Sequence, residues 1–133
     1  MEAKNQLKIL YTIRKVVTGL LFVLAILLLI FSFISGTENY GGGLQGFVQN
    51  SPNSLPWLLL LILLFFVKRK PIWTASLLIL FGAFITYFFN FTGQNFFLST
   101  FVLCLSIIFL GFVLLFTGLA IKQHQRNASS ENS

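Results

Sequence analysis

The stretch Pro56-Trp57-Leu58-Leu59-Leu60-Leu61-Ile62-Leu63-Leu64-Phe65-Phe66-Val67-Lys68-Arg69-Lys70 decides how the chain is read, because it settles how many times the polypeptide crosses a bilayer. Its apolar part covers only about 18 Å at helical rise, short of a hydrocarbon core of roughly 30 Å. Asn53 or Ser54 can cap the helix with Pro56 in its first turn, while Lys68 and Arg69 snorkel at the other end. The reading is a short or locally thinned span. A re-entrant element is the alternative, and it has to bring Lys68-Arg69-Lys70 back to the opposite face.

Outward from this stretch the sequence is plainer. Val16 to Ser35, Ile72 to Phe91 and Phe96 to Ile121 are each long and apolar enough to span, and the first exceeds the 7–15 apolar residues of a signal-peptide core. The expected spans are about 16–35, 54–68, 72–91 and 96–121, in a single membrane domain over 16–121. A basic interfacial segment, 1–15, precedes it, and a disordered tail, 122–133, follows. The fold class is all-α, a transmembrane four-helix bundle with a short second helix.

Composition agrees, since 56% of the 133 residues are hydrophobic and 9% charged, more apolar surface than a soluble fold can hide. Between Val16 and Ile121 the only formal charges are Glu38, Lys68, Arg69 and Lys70. Lys4, Lys8, Arg14 and Lys15 precede the first span, Lys68, Arg69 and Lys70 form the middle turn, and Lys122 and Arg126 follow the last. The other two connections carry no Lys or Arg, so the positive-inside rule puts both termini and the middle turn in the cytoplasm. The bilayer is the expected partner, with anionic headgroups at the cytoplasmic face. The net charge of +6 is explained this way and not by a nucleic-acid ligand. Small size and minimal loops point to a bacterial inner (plasma) membrane.

Residue spacing picks out packing faces. Thr18, Ala25 and Ser32 recur every seven residues on the first span. Ala75, Gly82, Ala83, Thr86 and Asn90 share about a third of the third helix's circumference. Thr100, Cys104, Gly111 and Gly118 form a stripe on the fourth. Small residues let backbones approach where lipid supplies no hydrophobic drive, so these three helices are expected to pack together. The second, with no Gly, Ala, Ser or Thr between Pro56 and Val67, is expected at the periphery. A functional reading makes Thr86, Asn90, Thr100 and Cys104 a polar path; the competing one has the hydroxyls bonded to their own helix carbonyls.

Residues 36–54 read as a flexible outer loop, in which Gly41, Gly42 and Gly43 break the helix, Leu44, Phe47 and Val48 dip into the interface, and Glu38 and Tyr40 form a polar pair at the outer mouth. The glycines lack the lysine and hydroxyl of a phosphate-binding loop. His124 reads as a solvated tail residue. Asn90-Phe91-Thr92 and Asn127-Ala128-Ser129 fit the glycosylation pattern but lie against the membrane and in the cytoplasmic tail.

Catalytic, cofactor-binding and metal-binding residues are expected to be absent. Glu2, Glu38, Glu131, His124 and the single cysteine, Cys104, assemble no acid–base pair, nucleophile or metal cluster. Four-helix multidrug exporters of similar size carry a membrane-embedded glutamate in the first helix, and at the matching depth this chain has only Leu, Val, Ala, Ile and Phe.

The run from Asn53-Ser54-Leu55-Pro56 to Lys68-Arg69-Lys70 carries one more signal. An acidic outer loop, Leu-Pro opening a leucine-rich helix, a basic turn and then a helix with small residues near its start resembles a family of small prokaryotic membrane proteins with a domain of unknown function. The likeness runs from Arg14 to Phe116 and implies a four-helix integral membrane protein with no activity attached. Three roles follow as expectations: a structural or accessory component packing against other membrane proteins or its own copies, an oligomeric channel or carrier for a neutral or apolar solute, and a lipid-acting envelope stress factor.

Overall fold

The computed structural model describes residues 2–39 and 41–131, the side chains of residues 37–39 excepted. It contains four helices: α1 (Glu2–Asn39), α2 (Gly43–Phe65), α3 (Pro71–Phe91) and α4 (Leu98–Glu131). All four are long and apolar enough to cross a bilayer, and the described residues contain no strand. The expected all-α transmembrane bundle is therefore the fold of this chain.

Cross-helix contacts fix the topology. Gly82 lies against Ile108, Gly111 against Ile79 and Gly118 against Ile72, so α3 and α4 run antiparallel. Ser32 meets Ser54 while Phe22 meets Phe65, so α1 and α2 do the same. The α3–α4 pair is the tightest, α1–α2 next and α1–α4 third, with a loose α2–α3 contact closing the ring. The core holds Leu21, Ala25, Leu60, Leu78, Ile107 and Leu114, while many Leu, Ile and Phe side chains face outward, as lipid requires. Antiparallel order gathers the chain ends and the Lys68–Lys70 turn at one end of the bundle, hereafter the basic end, and leaves the opposite end without Lys or Arg.

The second helix departs most from expectation. Instead of a short span at 54–68 it has 23 residues, about 35 Å at helical rise. α2 begins only four residues past the end of α1, and Gly41, Gly42 and Gly43, with φ of 82°, 76° and 71°, let the chain reverse over that short distance. The outer loop is thus mostly helix. Neither Asn53 nor Ser54 caps α2: Gly42 occupies that place, and Pro52 and Pro56 lie inside the helix. Pro52 deprives the Val48 carbonyl of its usual partner, and the Ser51 hydroxyl donates to it at 2.8 Å.

Nor is α2 peripheral. Gly46, Asn50, Ser54, Trp57, Leu60 and Leu64 recur at helical spacing and are buried. The small and polar residues missing downstream of Pro56 lie upstream of it, and α1 packs on them. Of the three helices expected to cluster, α3–α4 and α1–α4 pair directly whereas α1 and α3 lie on a diagonal.

Both ends of the chain are also corrected. The N-terminal segment does not turn at residue 15, because α1 is continuous over 38 residues, about 57 Å and well beyond one hydrocarbon core. The tail expected to be disordered continues α4 through Glu131. The two overlong helices project from the basic end together, where the Gln125 side-chain amide donates to the Tyr11 hydroxyl at 3.3 Å.

Candidate functional site opposite the basic end

The half of the bundle opposite the basic end is built on a hydrogen-bonded clamp between α1 and α2. The Asn50 amide donates to the Ser32 carbonyl at 2.8 Å, and the Ser32 and Ser54 hydroxyls lie 2.7 Å apart. Asn53 donates to the Asn50 side-chain oxygen at 3.4 Å. Asn50, Ser54 and Ser32 are all buried. Gly36 permits the approach: a Cβ there would fall 1.8 Å from the Asn50 side-chain oxygen. One turn away Phe33 and Phe47 stack with centroids 5.2 Å apart.

Beside this clamp lies a cavity of about 520 Å³ to which all four helices contribute. From α1 come Leu28, Phe31, Ser32 and Ser35; from α2, Asn53 and Trp57. Phe89 of α3 and Ser99, Thr100 and Leu103 of α4 complete the wall. Trp57 and Phe89 stack at 5.5 Å, 5° from parallel, and make a flat aromatic surface. The hydroxyls of Ser35, Ser99 and Thr100 have no hydrogen-bond partner among the described residues. Among the described residues no ionisable side chain lines the wall. A cavity of this size, largely apolar with a few unengaged hydroxyls, suits an uncharged molecule with an apolar body and a polar tip.

The residues singled out by spacing fall in several places. Ala25, Ala75, Gly82, Thr86, Asn90, Cys104, Gly111 and Gly118 are buried, while Thr18 and Thr100 are half-buried. Ala83 is exposed, because it lies one residue past Gly82 and turns away from α4. Thr86 donates to the Gly82 carbonyl at 2.6 Å and Asn90 to the Thr86 carbonyl at 2.9 Å, so two members of the polar path bond back to their own helix. Cys104 is fully buried on the α4 stripe that also carries Gly111 and Gly118. Of the four, only Thr100 reaches the cavity.

Asn90 keeps one loose end, since its buried side-chain oxygen has no partner among the described residues. Its burial also takes it out of reach of glycosylation. Tyr40 and the Glu38 side chain lie outside the described residues. His124 sits half-buried on α4 near Gln123 and Asn127, and no group of three metal-binding side chains occurs among the described residues.

The nine basic residues stand at the basic end without exception. Spacing within one helix could not reveal Ser35, Asn53, Trp57, Phe89 and Ser99 as neighbours. The signal for the clamp, Gly46, Asn50 and Ser54 every four residues, lay in a stretch read as loop.

A family model described as a domain of unknown function, DUF7670, matches residues 3–129. The chain belongs to this family. The DUF7670 match takes in all four helices, so the resemblance drawn over residues 14–116 extends to nearly the whole chain, and with it the four-helix membrane character. No curated protein and no solved structure matches the chain. This DUF7670 member is accordingly a small integral membrane protein.

Proposed function

We propose that this protein binds an uncharged amphiphilic molecule in the cavity opposite its basic end, without chemistry on it, as a carrier or receptor for a neutral solute. The observation that carries the reading is the set of three unengaged hydroxyls, Ser35, Ser99 and Thr100, around a cavity of about 520 Å³ with an aromatic wall. Hydroxyls next to lipid favour a ligand that donates or accepts hydrogen bonds, and the absence of ionisable groups in the wall disfavours a charged one. By the positive-inside rule the basic end is cytoplasmic, and the cavity faces the far side of a bacterial inner membrane.

A structural or accessory role is the competing reading. It leaned on the small-residue seams, and Gly82, Gly111 and Gly118 are filled by Ile108, Ile79 and Ile72 of the same chain. A partner protein would have to use the lipid-facing surface. Native mass spectrometry of gently extracted protein tests the choice. A monomer or closed homo-oligomer carrying a small neutral molecule is expected; a reproducible heteromer with no small molecule retained would favour the accessory role.

A further inference from the structure

The loosest contact in the ring, α2 against α3, leaves a trough on the outside of the bundle. Two hollows, of about 430 and 370 Å³, share Leu59, Phe81 and Phe84 and so run into one another. The larger hollow is lined by Leu63 of α2, Phe66 just past its end and Leu77 of α3, with no polar side chain among its lining residues. At the basic end the trough stops at Phe66, and the chain folds over that residue: the Arg69 and Lys70 amides both donate to the Phe66 carbonyl, at 3.1 and 2.9 Å. Lys68, Arg69 and Lys70 are exposed there, and no carboxylate among the described residues pairs with them. Trp73, 68% exposed and one turn before Leu77, marks the level of the membrane interface on α3.

From this juxtaposition we infer that the α2–α3 trough and the Lys68–Lys70 turn form a binding site for one anionic phospholipid. One acyl chain lies along Phe66, Leu63 and Leu59 opposite Leu77, Phe81 and Phe84, and the phosphate meets the three cations. From Leu59 to Phe66 the trough follows the helix for about 10 Å, within one leaflet of a hydrocarbon core of roughly 30 Å. An apolar trough alone would accept any lipid chain; the uncompensated cations at its mouth select the headgroup. This site is separate from the cavity opposite the basic end and does not depend on it.

The test places a single tryptophan in the trough, Phe84→Trp in a chain also carrying Trp57→Phe and Trp73→Phe, reconstituted in phosphatidylcholine vesicles. Small amounts of chain-brominated phosphatidylglycerol or chain-brominated phosphatidylcholine are then compared as quenchers. The anionic lipid is expected to be preferred by about fivefold if one basic residue is engaged and by about a hundredfold if all three are, read as the ratio of mole fractions that give equal quenching. Lys68→Gln/Arg69→Gln/Lys70→Gln should abolish the preference, while Lys4→Gln/Lys8→Gln/Lys15→Gln should leave it. Equal quenching by the two lipids, or equal loss in both triple variants, overturns the inference. So does shielding of the tryptophan that grows with protein density, which would assign the trough to a second copy of the chain.

Discussion

Ser32 on α1 and Ser54 on α2 face each other hydroxyl to hydroxyl at 2.7 Å, with Asn50 bridging to the Ser32 backbone, so the two helices are joined by a polar clamp inside an apolar bundle. In lipid such bonds hold helices together where burial of apolar surface cannot. Asn50→Ala removes the bridge and leaves the serines, and is expected to destabilise the bundle by about 1–2 kcal/mol. Reversible unfolding in mixed micelles measures this.

Gly36 makes that clamp possible. All three outer atoms of the Asn50 side chain lie within 2.1 Å of where a Cβ would stand, so Gly36→Ala must expel Asn50 from its pocket. The variant should lose as much stability as Asn50→Ala, with little further loss when the two are combined. An additive double variant would show that Gly36 and Asn50 act separately.

On α3 two adjacent small residues should behave oppositely. A Cβ at Gly82 would lie 2.6 Å from the Ile108 side chain, whereas Ala83 is exposed. Gly82→Leu is expected to cost about 1–3 kcal/mol by overpacking, and Ala83→Leu close to nothing, by the same unfolding measurement. Gly111→Leu should resemble Gly82→Leu, because a Cβ there would lie 3.0 Å from Ile79.

Cys104 is fully buried and is the chain's only cysteine. The native protein should resist a water-soluble maleimide until it is unfolded. Ser99→Cys, placed in the cavity wall and exposed, should react in the folded state. Equal rates at the two positions would mean that the α3–α4 seam is open to water.

Three of the four helices were legible because their apolar runs are long and uninterrupted: Val16 to Ser35, Ile72 to Phe91 and Phe96 to Ile121 lie within α1, α3 and α4 apart from the first two residues of the last run. The second was misread for a physical reason. Polar residues from Gln45 to Ser54 lower its hydropathy and two prolines suggest breaks, yet Asn50 and Ser54 face α1 and Pro52 is compensated by Ser51. Such compensation depends on a helix remote in sequence. The cavity was illegible for the same reason. Thr100 stood out by its spacing on α4, but Ser35, Trp57 and Phe89 become its neighbours only once four helices close into a ring.

The central claim is that the cavity opposite the basic end holds a neutral amphiphile, and Trp57 reports on it directly because it lines the wall. In a Trp73→Phe protein reconstituted in lipid, a brominated long-chain alcohol should quench Trp57 saturably. Thr100→Leu, which fills the cavity, should remove the saturable component. Quenching that rises linearly with the alcohol and is the same in both proteins would mean that the probe reaches Trp57 only through the surrounding lipid, and would contradict the account.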